Sequence, residues 1–252
     1  MLTTPTLTDT DISEFNKNGF VLVPHAFSGN DMKQILMWTE EIQHMPEQSG
    51  RQWVYHEKSK LDPGQDLINR IEYISPFHQG FAELSKTLQG PVSQLLGEQA
   101  VLFKEKINFK MPGGDGFKPH QDSQAGWQAY ADFFISVMVC IDEATVENGC
   151  LQLVAGHQKR GLYREWEPLT DEDMADMEFV NYPTRPGDIV FFDCYAPHAS
   201  EPNLTNTIRR LYFATYNRLS EGDHMAQYYA DKHKTYPPDI DRIAGKDYVF
   251  RV

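Results

Sequence analysis

The chain has 252 residues, is 40% hydrophobic and carries a formal net charge of −13. This length and composition suffice for one substantial core, so we expect a single domain over residues 1–252. The acidic balance argues against nucleic acid as a partner, because phosphates need a basic surface. No basic start is followed by an apolar run at the N-terminus, and no stretch approaches about 20 apolar residues, so we expect no membrane partner. The oligomeric state is left open.

The three cysteines, Cys140, Cys150 and Cys194, are an odd number without metal-ligand spacing. Two of them lie in strand-like runs. Buried free thiols are typical of a reducing compartment. The sequence therefore predicts a cytoplasmic protein.

The first hundred residues have mostly helical patterns. Gly19 is placed to stop a first helix, Ser28 to cap a second, and Pro91 to open a helix in the first turn. The predicted elements are helices at residues 9–18, 76–88 and 91–97, a further helix that follows Ser28 and has its periodic residues between Met32 and Ile42, strands at residues 20–23 and 67–74, and a loop over residues 55–65.

From residue 100 the hydrophobic period changes from about 3.6 to 2, which predicts strands. A polar helix is predicted at the end, over residues 221–232. The sequence therefore predicts a mainly β fold with flanking helices: a double-stranded β-helix (jelly roll, cupin-like) core at about residues 100–218, after a helical N-terminal third and before a short helical tail. The predicted core strands are residues 101–109, 133–142, 149–154, 179–182, 189–192 and 210–217.

A histidine and an aspartate, His120 and Asp122, follow a glycine-rich loop. Side chains alternate along a strand, so residues two positions apart point the same way. A second histidine, His198, follows the apolar strand near residue 190. Two histidines and one carboxylate form the facial triad that holds non-heme Fe(II) and leaves positions open. The sequence predicts these three residues as metal ligands and as the catalytic centre.

Arg209 lies eleven residues after His198 and is followed by Arg210. Alternation along a strand lets at most one of these two arginines face the interior of a barrel. A guanidinium binds a carboxylate through two parallel hydrogen bonds, which makes Arg209 a candidate anchor for the far carboxylate of a 2-oxo acid. Ser200 is either a second partner of that carboxylate or a plain loop serine.

Four polar residues alternate along one predicted strand: Lys104, Lys106, Asn108 and Lys110. This face either is solvated, as lysines usually are, or lines the barrel beside the His120 loop with positive charge. A second basic group includes Arg160. Together they make Lys106, Lys110 and Arg160 candidate substrate residues.

Aromatic side chains follow the metal motif, and Trp127 and Tyr130 either close over the metal and substrate or pack in the core. His157 is a rival ligand by type. It lies in a glycine turn with no carboxylate two residues away, so we interpret it as a loop histidine.

These motifs together resemble the phytanoyl-CoA dioxygenase family of Fe(II)/2-oxoglutarate oxygenases. The resemblance rests on His120-x-Asp122, Pro197-His198-x-Ser200 and the Arg209-Arg210 pair, and the turn at residues 149–157 is similar to the family's turn after its long central strand. It implies Fe(II) at the two histidines and Asp122, with 2-oxoglutarate and O2 as cosubstrates. It also implies that Arg209 and Ser200 hold 2-oxoglutarate and that Asn108 touches it, as in the family's ectoine hydroxylases.

The chain departs from the family at Ala155-Gly-His157, where Pro-Gly-Ser-His is common, and this affects no catalytic residue. The run from Lys106 to Asp122 is most similar to small-molecule hydroxylases, including those that act on aminoalkylphosphonates. We therefore expect hydroxylation of a small polar or anionic molecule, such as 2-aminoethylphosphonate or its N-methylated analogue. The alternatives are a zinc-dependent hydrolase or metal-dependent isomerase on a cupin-like barrel, and a non-catalytic binding module of the same fold.

Overall fold

The computed structural model describes residues 1–249. Four helices and eleven strands lie in this part of the chain. The helices are α1 (Asp9–Asn18), α2 (Gly29–Gln43), α3 (Gln79–Leu96) and α4 (Met225–Thr235). The strands are β1 (Phe20–Val23), β2 (Trp53–Lys58), β3 (Asp66–Glu72), β4 (Ala100–Lys110), β5 (Phe117–His120), β6 (Phe134–Cys140), β7 (Leu151–Leu153), β8 (Val180–Tyr182), β9 (Ile189–Asp193), β10 (His198–Ser200) and β11 (Arg209–Arg218).

The strands form two antiparallel sheets. The larger has seven strands in the order β1-β9-β6-β11-β4-β3-β2, and the smaller has four in the order β5-β10-β7-β8. Neighbours in each sheet are mostly distant in sequence, as in a jelly roll. The predicted mainly β fold with a jelly-roll core and flanking helices is confirmed.

The larger sheet has two buried faces, and each packs against a different layer. Residues of one face, such as Ile107 and Tyr212, pack with the apolar sides of the helices in the main core. On the other face, Leu211 and Phe192 pack with Leu153 of the smaller sheet. Burial on both faces explains why β6 is apolar at every position except Ser136 instead of alternating.

The N-terminal third differs from the sequence prediction at three places. The predicted loop over residues 55–65 begins with β2, which pairs with β3 at the edge of the larger sheet. The helices predicted at residues 76–88 and 91–97 form one helix, α3, with Pro91 inside it. Ser28 precedes α2, but its side chain makes no capping hydrogen bond. In β2 and in α3, tertiary packing overrides the local conformational preference of the residues. Tyr55 of β2 and the apolar face of α3 are buried in the core.

Other predicted features agree with the structure. Gly19 ends α1 in the left-handed conformation, and Gly97 ends α3 in the same way. Cys140, Cys150 and Cys194 are free and buried. Within residues 1–249, no helix combines the length and apolarity that crossing a bilayer requires.

Candidate active site

Two short strands of the smaller sheet bring the two predicted histidine ligands together. His198 on β10 is the direct partner of His120 on β5, and their ring centroids lie 4.1 Å apart. Asp122 follows β5 at the start of a short 3-10 turn. One ligand atom from each residue lies within 4.8 Å of the others, so this group has the spacing of a metal site. The Asp122 carboxylate lies beside the two histidines because the chain turns after β5. The strand alternation expected from the sequence is not what places it there.

Each histidine is oriented by a backbone carbonyl. The Nδ1 atom of His120 lies 2.7 Å from the Lys118 oxygen, and Nδ1 of His198 lies 3.0 Å from the Ala196 oxygen. A carbonyl only accepts hydrogen bonds, so each Nδ1 carries a proton and each Nε2 keeps a free lone pair. Metal-binding histidines use this second hydrogen bond to fix tautomer and ring orientation. The donor set therefore fits a bound divalent iron.

The charge states also suit a metal. Burial, helped by the neighbouring His198, lowers the pKa of His120 to about 3, so its ring is neutral. The pKa of Asp122 is lowered as well, since the nearby His198 and Lys104 outweigh the opposing effect of burial. Neutral imidazoles beside an ionised carboxylate are the protonation states that coordinate a cation.

The sequence analysis missed Ser136 as a support for Asp122. The Ser136 hydroxyl donates to Asp122 Oδ2 at 2.7 Å and lies 2.9 Å from the hydroxyl of Thr215. Both residues are buried on neighbouring strands, β6 and β11. The sequence did contain an indication of this role, because Ser136 is the single polar residue in an otherwise apolar strand.

An inner pocket extends from the metal cluster between the two sheets. Arg209, Asn108 and Ser200 are among its lining residues. Arg209 Nε and Asn108 Oδ1 are both buried and have no hydrogen-bond partner within the described chain. Burial lowers the pKa of Arg209 to about 10, which leaves it charged near neutrality. A buried guanidinium without an anion is costly, so the pocket fits an anionic ligand.

The two adjacent arginines point in opposite directions, as strand alternation predicts. Arg210 binds Asp142 at 2.7 Å and also contacts Glu40. Arg209 faces the inner pocket instead.

Lys110 does not reach the cavities that meet at the metal cluster, in contrast to the prediction of a substrate role. Its ammonium group donates to Ser200 Oγ at 2.8 Å, to the Gly149 carbonyl at 3.3 Å and to the Glu201 carbonyl. These acceptors use all three of its N–H groups. Lys110 therefore holds Ser200 in place beneath the inner pocket. Gly149 has φ +76°, and a Cβ there would lie 2.0 Å from the Glu201 oxygen, so glycine is required at this turn.

Arg160 is the second predicted substrate residue that lies elsewhere. It forms an exposed two-pronged ion pair with Asp176 at 2.7 and 3.1 Å and lines neither cavity. The positive charge of Arg160 was evident from the sequence, but its ion pair with Asp176 was not.

An outer cavity of about 610 Å³ opens on the other side of the metal cluster. Lys104, Lys106, His120 and Asp122 line both this cavity and the inner pocket. The remaining described side chains of its wall come largely from aromatic and basic residues: Trp127, Tyr130, Trp166, Tyr228, Lys232, Lys234, Tyr236 and Lys246.

Both alternatives considered for Trp127 hold at once, because it lines the outer cavity and packs against Phe103 and Phe134. Tyr130 lines the cavity, and its hydroxyl donates to Asp231 at 3.1 Å. Trp166 reaches the wall over Gly126, where any Cβ would lie 2.2 Å from the indole ring.

Comparison with known proteins identifies the family. The family model described as phytanoyl-CoA dioxygenase matches residues 15–211. The chain belongs to the phytanoyl-CoA dioxygenase family. The prediction of a dioxygenase of this family is thereby confirmed.

Three relatives in this family are similar along most of the chain. A 2-aminoethylphosphonate dioxygenase from the uncultured bacterium HF130_AEPn_1 is 39% identical and covers 94% of this chain and 91% of its own. A methylphosphonate hydroxylase from Gimesia maris is 36% identical over 96% of this chain and 92% of its own. The dioxygenase lolE1 from Epichloe uncinata is 29% identical over 93% of each chain.

Solved structures share the fold. The crystal structure of EctD from S. alaskensis with 2-oxoglutarate and 5-hydroxyectoine superposes with a TM-score of 0.71 at 20% identity, over 88% of this chain and 79% of that one. The epimerase SnoN from nogalamycin biosynthesis gives 0.67 at 19% identity, over 83% and 82%.

The family match ends at residue 211, before α4. The site residues predicted from the sequence also all lie before α4. Tyr228, Lys232 and Tyr236 nevertheless contribute to the wall of the outer cavity. More than a hundred positions separate them from His120, and no spacing rule links such distant residues.

Proposed function

We propose that this chain, as one oxygenase domain over residues 1–252, is an Fe(II)- and 2-oxoglutarate-dependent dioxygenase that hydroxylates a C–H bond of a small organophosphonate. One observation carries the proposal. The cluster of His120, Asp122 and His198 lies at the junction of an inner pocket lined by the buried Arg209 and an outer cavity lined by five lysines. A cosubstrate and a substrate can therefore reach one metal from opposite sides.

The residues of the cluster have separate roles. His120, Asp122 and His198 would hold the iron, and Ser136 fixes the carboxylate through its hydroxyl. With iron bound, the site couples conversion of 2-oxoglutarate and O2 into succinate and CO2 to hydroxylation of the substrate. The buried side chains of the inner pocket, among them Phe192 and Leu211, would exclude water from that side of the metal cluster.

The inner pocket suits 2-oxoglutarate. The guanidinium of Arg209 would bind the far carboxylate in two parallel hydrogen bonds, with Ser200 beside it. Asn108, which lines the same pocket, would donate from its side-chain amide nitrogen to the same molecule. A zinc hydrolase or isomerase leaves these buried polar groups without a ligand, which disfavours that alternative.

The outer cavity favours an anionic substrate despite the chain's net charge of −13. Five lysines line it. Two relatives that cover more than nine-tenths of this chain are named for phosphonate substrates, 2-aminoethylphosphonate and methylphosphonate. A binding module without activity is disfavoured, because the ligand geometry and the buried arginine are both intact.

The test is formation of succinate by the iron-loaded protein with O2 and 2-oxoglutarate. We expect stimulation by 2-aminoethylphosphonate, its trimethylammonium analogue or methylphosphonate. Ectoine and an acyl-CoA serve as controls from the same family. Stimulation by these controls alone would contradict the phosphonate substrate. Absence of succinate formation with every compound would contradict the oxygenase.

A further inference from the structure

Two lysines of β4 extend into the space above the metal cluster. Lys104 and Lys106 are on the same strand face and line both the inner pocket and the outer cavity. Their strand neighbours on β11 are Thr215 and Phe213. The two ammonium groups are therefore fixed to a central strand of the larger sheet and not to a loop.

Aromatic rings, and not carboxylates, position these two lysines. Lys104 Nζ lies 4.3 Å from the centroid of Trp127, and Lys106 Nζ lies 5.6 Å from the centroids of both Phe117 and Phe213. Such cation–π contacts hold an ammonium group without using its N–H donors. Among residues 1–249, neither lysine forms an ion pair or a hydrogen bond through its ammonium group.

Other lysines nearby contrast with this pair. Lys110 uses its N–H groups on Ser200 and two carbonyls, and Lys232 is paired with Glu72. Among the lysines around the metal cluster, Lys104 and Lys106 thus keep their N–H donors free within the described chain, as does the exposed Lys246 farther along the wall. Two neighbouring ammonium groups with free N–H donors suit a group with two negative charges and three acceptor oxygens, which describes a phosphonate.

The described wall of the outer cavity offers no carboxylate dedicated to a substrate amino group. Of the carboxylates in its described lining, Glu72 is held by Arg70 and Lys232, and Asp122 belongs to the metal cluster. Asp231 accepts hydrogen bonds from Lys234, Gln227 and Tyr130. Glu72 and Asp231 in the described wall thus already have partners within the chain, and no carboxylate there is reserved for an ammonium group.

We propose that Lys104 and Lys106 form the phosphonate-binding subsite, and that the enzyme recognises its substrate through the phosphonate end without a charged partner for an amino group. This inference rests on the proposed function, because it assigns the substrate end of the same site. Methylphosphonate consists of a phosphonate group and one methyl group. The inference therefore predicts that it binds although it has no amino group.

The decisive measurement is calorimetric binding of methylphosphonate to the iron- and 2-oxoglutarate-loaded protein without O2. We expect Lys104→Met and Lys106→Met each to raise the Kd for methylphosphonate by about 10- to 100-fold, because each removes charge-assisted hydrogen bonds. The Kd for 2-oxoglutarate, measured without phosphonate, stays within about twofold of the wild type.

Two variants serve as controls. Lys106→Arg keeps the charge and should retain most of the affinity, which separates loss of charge from loss of folding. Lys58→Met removes one exposed positive charge, paired with Asp66 outside the cavity, and should leave the Kd unchanged. Methionine keeps the apolar stem of the buried lysines in place against the rings.

The outcomes separate this inference from the proposed function. In one outcome, the wild type forms succinate with phosphonates while both methionine variants bind methylphosphonate as tightly as the wild type does. That result overturns the subsite and leaves the proposed function standing. A rise only in the Kd for 2-oxoglutarate also overturns it, by assigning the lysines to the cosubstrate. No succinate from any phosphonate in the wild type overturns the proposed function, and the subsite falls with it.

A substrate pair tests recognition of the amino end. 2-Aminoethylphosphonate and ethylphosphonate differ only in that amino group. We expect their kcat/KM values to agree within about tenfold. A preference above about 100-fold for the amino compound would show that a charged partner reads the amino group, and would overturn that part of the inference.

Discussion

One strand pair holds the rings of His120 and His198 4.1 Å apart and tilted by 52°, and each ring leaves a single nitrogen free. We expect His198→Ala to lower Fe(II) affinity by more than about 100-fold and to abolish succinate formation while the protein stays folded, because it removes one of three ligands. Metal content after dialysis and circular dichroism measure both effects. His157→Ala is the matched control, since His157 contacts Tyr163 outside the cluster. Unchanged iron content in the His198→Ala protein would contradict the ligand assignment.

Arg209 and Arg210 are neighbours that differ only in the face they occupy. Arg209→Ala should raise the KM for 2-oxoglutarate by about 10-fold or more, because it removes charge-assisted hydrogen bonds to a carboxylate, and should leave iron binding intact. Arg210→Ala should leave that KM within about twofold and should instead lower stability through loss of the contacts with Asp142 and Glu40. Steady-state kinetics on both variants distinguishes the two roles. A higher KM in the Arg210→Ala protein alone would reverse the assignment.

The roles of site residues that lie close together in the sequence could be predicted. Contacts between residues that are distant in the sequence could not. The alternating arginines carry their geometry in local order, whereas His120 and Asp122 are close in sequence but are brought together by a turn. Ser136 and Lys110 take their roles from what the fold brings opposite them. Lys110 shows the limit clearly, since it shares a strand face with Lys106 but donates to Ser200 of β10, ninety positions away.

At the scale of elements, β4 separates the site from the core. Even-numbered residues such as Lys106 face the cavities, whereas Ile107 and Phe109 face the helices and the main core. This two-faced pattern was visible in the sequence, although the sequence could not decide whether the polar face met solvent or a cavity. The missed strand β2 had no such pattern, because it pairs at a sheet edge and carries His56, Glu57 and Lys58.

The helix α4 is attached to the larger sheet by a largely buried ionic group. Lys232 binds Glu72 of β3, and Glu72 also binds Arg70 at 2.7 Å. Lys232→Met should lower the free energy of unfolding by about 3 kcal/mol, because loss of one partner leaves a buried charge less well compensated.

Lys234→Met is the matched control on the same helix. The pair between Lys234 and Asp231 is exposed, so its loss should change the free energy of unfolding by less than about 1 kcal/mol. Urea denaturation of both variants gives the comparison. Equal effects would mean that the buried ionic group does not attach α4.

For the whole molecule, stability should depend on pH through a buried carboxyl group beneath the larger sheet. Burial raises the pKa of Glu105 to about 7, even though its Oε1 accepts N–H bonds from Ile74 and Ser75. The folded state therefore holds a proton that the unfolded chain releases near its ordinary value. The stabilising contribution is complete below about pH 4.5 and is lost as pH rises to about 7, on the order of 3 kcal/mol.

Glu105→Gln isolates this contribution from other titrating groups, including the general effect of a chain with net charge −13. It keeps an oxygen acceptor for Ile74 and Ser75 and removes the ionisation. Urea unfolding at pH 5 and pH 8 should show a smaller loss of stability on raising the pH in the variant than in the wild type. Parallel curves for the two proteins would refute a buried titrating role.

The overall architecture could be predicted because the hydrophobic period changes at one point in the chain, near residue 100. A run of short strands after a helical third leaves few ways to bury both faces of a sheet. The pairing order could not be predicted, since β1 joins β9 and β5 joins β10 across long separations. Such contacts depend on the closure of the whole sandwich and leave no local signal.

The position of α4 has a consequence for how such enzymes diverge. The helix contributes none of the residues His120, Asp122 and His198, and it lies beyond residue 211, where the family match ends. It nevertheless supplies Tyr228 and Lys232 to the outer wall. The proposed metal ligands and part of the proposed substrate wall thus occupy separate stretches of the chain. Substitutions confined to α4 can therefore change which molecules the cavity admits while the three ligand residues are inherited unchanged.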